Sequence, residues 1–392
     1  MSMPYVRFTL LSAASIIAGL TVNSPRAYNV ENLDSLGGTR SIGNSINDRG
    51  WIAGFSNLPG DQVSHAAVWI DDELFDLGTL GGPGTSSNIN WPVKNDRGLL
   101  SGFAETDQIN PLGESWSCSA FFPTTTNHVC LGVFWEFGRI HALPTLGGYN
   151  GFAAGANDRG QIVGWAENTV HDPTCVSPQV LQFRAVLWEP RRGRMQELPP
   201  LAGDSVSSAT VINDRGQVAG ISGICDTSVG RFSARHAVLW EHGTVIDLGT
   251  LGGVAWITPM AINNRGEVVG FSNINASDGG TFFAHAFKWT RLEGMQDLGL
   301  LPGDERGQAL GINNRGDIVG LSCPPRPGLC RAVLWSGGTI TNLNDVVQSG
   351  YAEHLFTAQD ITDGGVITGQ ARNLQTGTRV TFRATPSHRS DN

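Results

Sequence analysis

A four-residue phrase, Asn-Asp/Asn-Arg-Gly, recurs at Asn47–Gly50, Asn95–Gly98, Asn157–Gly160, Asn213–Gly216, Asn263–Gly266 and Asn313–Gly316. A worn seventh copy stands at Thr362–Gly365. The steps between copies are 48, 62, 56, 50, 50 and 49 residues. A period near 50 belongs to a chain of stacked or radially arranged units, not to a set of independent domains.

Each unit carries four short apolar runs separated by Gly, Pro, Asn and Asp. In the fifth they are Ala261-Ile262, Glu267–Ser272, His285–Trp289 and Met295–Leu301. Runs this short, rich in Val, Ile, Phe and Trp, read as strands, here A, B, C and D. The recurrent phrase links A to B. Its Gly suits a left-handed turn position, and its Asn can hydrogen-bond its own backbone two residues on. Six copies of one turn point to hairpin chemistry rather than to six active sites. A cation site there lacks the alternating acids of an EF-hand. Trp69, Trp135, Trp188, Trp240, Trp289 and Trp335 close strand C, with Phe382 in the seventh unit. An aromatic at one fixed place per unit reads as packing between units. Ser56, Ser222, Ser272 and Ser322 follow strand B at equivalent places, and none sits in a nucleophile elbow.

The two ends are out of phase. Residues 28–38 form a D-type segment with no A, B or C before it, and the last unit stops after C. A ring in which the N-terminal strand completes the last unit resolves both ends and leaves no uncovered face. The expected fold is therefore all-β: a seven-bladed β-propeller of four-stranded blades over residues 28–384, with 385–392 as a frayed tail.

The segments His285–Trp289, His236–Trp240 and His65–Trp69, with Leu77–Gly82, Leu248–Gly253 and Ile262–Gly270, resemble the HAF repeat of bacterial extracellular proteins. The resemblance spans about residues 28–384. It implies secretion and a propeller-like fold, and no defined biochemical activity. Two units carry Arg184 and Arg331 in place of the His, and Leu131–Trp135 lacks it. That loss argues against the His as a shared ligand.

Residues 1–27 are unlike the repeats. Arg7 precedes the apolar run Phe8–Leu20 and a small-residue stretch with Pro25, the layout of a secretory signal peptide. No other stretch could span a bilayer. The destination is expected to be secreted or periplasmic. In such a chain six Cys imply disulfides. Cys118 with Cys130 and Cys323 with Cys330 would each close one loop, leaving Cys175 and Cys225 in neighbouring units. The spacings do not fit zinc, and no metal or other cofactor is expected.

The formal charge is −9, and losing residues 1–27 removes Arg7 and Arg26 and no acid, leaving −11. That balance argues against nucleic acid and anionic lipid as partners. No phosphate loop, dinucleotide fingerprint or zincin motif occurs.

Length variation lies in the B–C connections and partly in D–A, which share one face of a propeller. From the strand-B Gly to the strand-C aromatic the distance is 33 residues in unit 2, 24 in unit 3 and 13 in unit 7. Variable loops on a rigid scaffold are where binding sits. Trp91, Tyr149, Phe152 and Trp256 follow the D-strand Gly-Gly, and Trp116, Phe121, Phe122, Phe282 and Phe283 lie in B–C loops. These aromatics could stack sugars or grip a protein, or could cover their own loops as small satellite cores. The expected function is a non-catalytic, monomeric binding or scaffold module for a glycan or extracellular protein. The alternative is a carbohydrate-active enzyme using Asp204 with Asp304 or Glu305, against their reading as ordinary turn acids.

Overall fold

A computed structural model of the chain describes residues 26–387, except Lys94, Trp116, Ser117, Ser119, Val229 and Gly279. The signal-like segment, apart from Arg26 and Ala27, and the candidate Trp116 lie outside the described residues.

The strands form seven four-stranded antiparallel sheets arranged as a seven-bladed propeller. Blade 1 runs Ser41–Ile46, Ile52–Asn57, Ser64–Ile70 and Glu73–Asp76, from strand A at the channel to strand D at the rim. Blade 7 takes A, B and C from His354–Ile361, Ile367–Arg372 and Arg379–Pro386, and its D strand from Tyr28–Asn32. Tyr28 pairs with Pro386 and Asn32 with Phe382, so the N-terminal strand closes the ring as expected. Strand C of this blade runs two residues past the expected end at 384, because Tyr28 and Asn29 supply its partners.

The recurrent phrase folds one way in six of the seven blades. There the Gly amide bonds back to the first residue's carbonyl, as in Gly50 N–H to Asn47 O at 2.9 Å, while Asn95–Gly98 in blade 2 forms a bend. The Asn47 side-chain oxygen accepts from the amides of Arg49 and Trp51. The seven turn glycines have φ between 76° and 91°, where a Cβ is disfavoured. A second invariant glycine has a different cause. Strand A bulges opposite strand B, with a register shift between Gly43 and Ser45 in blade 1 and between Ala209 and Val211 in blade 4. A Cβ on Gly54 or Gly220 would run into the carbonyl oxygen of Ile42 or Ser208.

Neighbouring blades are clasped at three levels. At the rim, strand-C indoles donate to the D segment of the preceding blade: Trp69 to Asp34 O, Trp135 to Leu77 O, Trp188 to Pro144 O and Trp240 to Pro199 O. The serines after strand B accept the amides of Leu36, Leu201, Leu251 and Leu301, again from the preceding D segment. At the channel mouth, the second turn residue of each blade donates its amide to the side chain of the same residue in the next. Asp48, Asp96, Asp158, Asp214, Asn264, Asn314 and Asp363 follow in order, and Asp363 returns to Asp48 at 2.7 Å.

Deleting Tyr28–Leu36 removes the edge strand of blade 7 together with the Trp69 and Ser56 partners. The expected outcome is loss of the folded monomer, read as aggregation in size-exclusion chromatography and loss of cooperative thermal unfolding.

Candidate functional site

Two places carry the polar chemistry of the disc: the channel mouth at the A–B turns and the opposite B–C/D–A loop face. The mouth is a cavity of about 210 Å³ rimmed by Asp48, Asp96, Asp158, Asp214, Asn264, Asn314 and Asp363. Burial, reinforced by Asp48 and Asp158, pushes the Asp96 carboxyl above its ordinary value. One oxygen of each rim side chain is spent accepting the amide of the preceding blade's turn. Among the described residues no group of three or more His, Cys, Asp or Glu is placed to hold a metal ion.

The strand-C histidines work inside their own blades. His65 Nδ1 lies 2.9 Å from Asp76, His285 Nδ1 2.8 Å from Asp297, and His236 Nδ1 3.3 Å from Asp247, each Asp being on strand D. Arg184 faces Glu197 in the same way in blade 3. These are edge-of-sheet side-chain pairs within single blades, not a shared ligand set. The bond from Asp247 pushes His236 up, with Asp204 adding to it, and the same bond holds Asp247 down.

On the loop face, strand B is six residues in blades 1 and 4 to 7 but ten in blades 2 and 3, Leu100–Ile109 and Ile162–His171. Four extra residues raise these hairpins by about 13 Å. All three expected disulfides form. Cys118–Cys130 and Cys323–Cys330 close single loops, and Cys175–Cys225 joins the loops of blades 3 and 4 across a Cα separation of 4.3 Å. The two short-loop bridges each contribute about 2–3 kcal/mol by restricting loop freedom, and the one between blades about 4 kcal/mol. The raised ridge of blades 2 to 4 is thus stapled at two places.

The aromatics divide. Trp91 and Phe152 are buried, contrary to a surface role. Strand A of blade 2 is only Ser87–Asn88, and Pro92 follows Trp91 without an N–H to extend it. Trp91 turns inward, edge-on to Phe121 and Phe152, while Phe152 stacks on Phe103 at 3.9 Å between ring centres. Phe122 is buried beside them. Trp256 is half-buried: its indole donates to Gly280 O at 2.7 Å and its ring meets Phe282 edge-on. Tyr149 remains exposed. The satellite-core reading accounts for most of this set, and the exposed surface is instead aliphatic.

Asp204 and Asp304 occupy the same place in blades 4 and 6, and each is engaged within its own blade. Asp204 accepts from Ser222 at 2.6 Å and lies 4.0 Å from His236. Asp304 accepts from Ser322 at 2.5 Å and is ion-paired with Arg331. Glu305 sits 3.4 Å from Arg306. These contacts make them turn fasteners and do not assemble an acid–base pair.

Sequence reasoning missed a buried group between blades 2 and 3. Glu105 and Glu167 stand three residues after the strand-B Gly, where blades 1 and 5 have Asn57 and Asn273. Each carboxylate caps the entry to strand A, Glu105 from the Ser86 amide and Glu167 from the Asn150 amide. That departure from the repeat was a usable signal. Nothing in the spacing reveals that Glu114, from the blade 2 loop, reaches the amides of Val180 and Leu181 in blade 3.

Comparison with known proteins places the architecture only. No described protein family and no curated protein matches the chain. Among solved structures, an oligogalacturonate lyase in complex with manganese is similar at a TM-score of 0.51 and 10% identity, over 93% of this chain and 97% of that one. A Trypanosoma rangeli sialidase is similar at 0.38 and 7% identity, over 92% and 54%. At these identities the likeness is one of fold alone.

His236 is pushed up, so its pairing stabilises fully below the ordinary histidine value and is lost as pH rises through its folded value. Asp247 is held down, so its share is lost as pH falls through its folded value. His236→Gln should therefore lower the melting temperature more at pH 6 than at pH 8.5. The loss should stay under about 1 kcal/mol, because both groups are partly exposed and screened.

Proposed function

We propose that the protein is an exported, non-catalytic binding or scaffold propeller of the HAF-repeat kind, whose ligand, a glycan or another exported protein, sits on the B–C/D–A face. The observation that carries this reading is the stapled ridge of blades 2 to 4 and what it presents. Ile109 is 64%, Val176 52%, Val170 49% and Tyr149 43% exposed, all on this face. Apolar side chains held out on rigid, disulfide-anchored hairpins are a preorganised contact surface rather than a folding defect.

Export is supported by the three disulfides, which persist in an oxidising compartment. Among the described residues no helix is long and apolar enough to cross a membrane. The HAF-repeat assignment rests on the His-Ala-Phe/Val and Leu-Gly-Gly motifs themselves. The enzymatic alternative loses its proposed pair, since Asp204 and Asp304 are committed inside separate blades.

The test is a binding screen of the chain from residue 28 onward against glycans and exported proteins, repeated with Tyr149→Ala and Val176→Asp. The expected result is a ligand whose affinity falls at least about tenfold in one of these variants, with melting temperature unchanged. A ligand that neither variant weakens contradicts the ridge as the site. Substrate turnover abolished by Asp204→Asn in a folded protein overturns the non-catalytic reading.

A further inference from the structure

The least explained chemistry in the molecule is the buried acid pair beneath the ridge. Glu167 belongs to strand B of blade 3, and Glu114 to the long B–C loop of blade 2. Both are at most 1% exposed. Glu167 accepts three bonds: from the Asn150 amide at 2.8 Å, the Asn150 side chain at 3.1 Å and Gln179 Nε2 at 3.0 Å. Glu114 Oε1 accepts the amides of Val180 at 2.9 Å and Leu181 at 2.6 Å. Gln179 Nε2 also donates to Leu181 O at 2.8 Å. Gln179 and Leu181 therefore tie the two carboxyls into one cluster.

Two atoms in that cluster are buried without a partner, Glu114 Oε2 and Gln179 Oε1, and both are acceptors. Turning the Gln179 amide over offers no relief, because its nitrogen already serves Glu167 and Leu181 O, and an oxygen there would face two acceptors. Among the described residues no cation is ion-paired with either carboxyl. Glu167 meets Glu114 from the blade 2 loop, Asn150 at the entry to strand A and Gln179 from the blade 3 loop, with Phe183 opposite on strand C. Two ionised carboxyls sealed from water with surplus acceptors are strongly disfavoured.

We propose that Glu114 and Glu167 form a one-proton binding site that locks the B–C loops of blades 2 and 3 together. Either carboxyl, once protonated from solvent, supplies the donor that the orphan acceptors lack. It also reduces the charge of the seam from two to one. Burial first, and the Glu114 carboxylate second, push Glu167 up to about 7. A carboxyl raised in this way favours the fold below its unfolded value, and that advantage is lost as pH rises through about 7. The seam is then tight in mildly acidic surroundings and strained in alkaline ones. Its action on ligand binding rests on the loop-face reading above, whereas the proton site stands without it.

Infrared difference spectroscopy of the whole protein, titrated from pH 5 to 9, tests the site. The expected result is a protonated-carboxyl carbonyl band that disappears with a midpoint near 7. Glu114→Gln should move that midpoint down, because the like charge is gone, and Glu167→Gln should remove the band. Amide exchange supplies a readout from wild-type protein alone: protection of Val180 and Leu181 should fall above the midpoint more than that of strand amides in blade 5. The absence of a titrating band near neutral pH, or the same midpoint in Glu114→Gln, overturns the proposal. So does stabilisation by Ca²⁺ after chelator treatment that Glu114→Gln abolishes, since a cation would then fill the seam.

Discussion

The fold depends on one hydrogen bond made seven times: the amide of the second residue of each A–B turn, donated to the same residue's side chain in the next blade. The donors and acceptors form a closed cycle around the channel mouth, with Asp363 to Asp48 as the closing member. The Asn before it makes the cycle possible. By bonding the amides two and four residues on, it fixes the turn so that the donor points at its neighbour. In blades 1 and 3 to 6 that Asn also reaches the next turn's first carbonyl, adding a second layer: Asn47 to Asn95, Asn157 to Asn213, Asn213 to Asn263, Asn263 to Asn313 and Asn313 to Thr362. A short polar phrase thus serves as turn and as joint at once. Its persistence reflects geometry rather than reactivity.

The same logic runs outward. Tryptophan indoles and strand-B serines reach backward to the preceding D segment, so blades 1 to 6 are clasped at the rim by one or both contacts, while blade 7, with Phe382 and Ala371 at those places, is joined in the ring at the mouth. The N-terminal strand is treated as an ordinary D segment: Trp69 finds Asp34 as Trp135 finds Leu77. Where the serine is replaced by Ala104 and Ala166, in blades 2 and 3, the strands lengthen and Glu105 and Glu167 appear one place further on. The two blades that depart from the repeat are the two whose long strands raise the ridge, and Cys175–Cys225 joins blade 4 to it.

This division explains what could be read from the chain. Out-of-phase ends announced closure by Tyr28–Asn32, and the loop positions of the six cysteines announced their pairing, because both follow from order along the chain. The turn acids were read as local chemistry, and their role between blades was not visible: Asp214 and Asn264 become partners only once the units are placed in a ring. Trp91 and Phe152 looked like surface aromatics because the repeat puts them near the loop face. Whether such a ring turns in or out is decided by packing against Phe103 and Phe121, which no spacing encodes. Glu114 is the extreme case, since its partners lie 66 and 67 residues away in a loop of another blade.

Amide hydrogen exchange at the seven turn residues tests the ring most directly, because several of these turns face solvent and only the bond to the next blade can slow them. The account predicts comparable, strong protection at Asp48, Asp96, Asp158, Asp214, Asn264, Asn314 and Asp363. Exchange of the Asp363 amide at the rate of a free loop amide, with the other six protected, would contradict it and show a ring open at the mouth between blades 7 and 1.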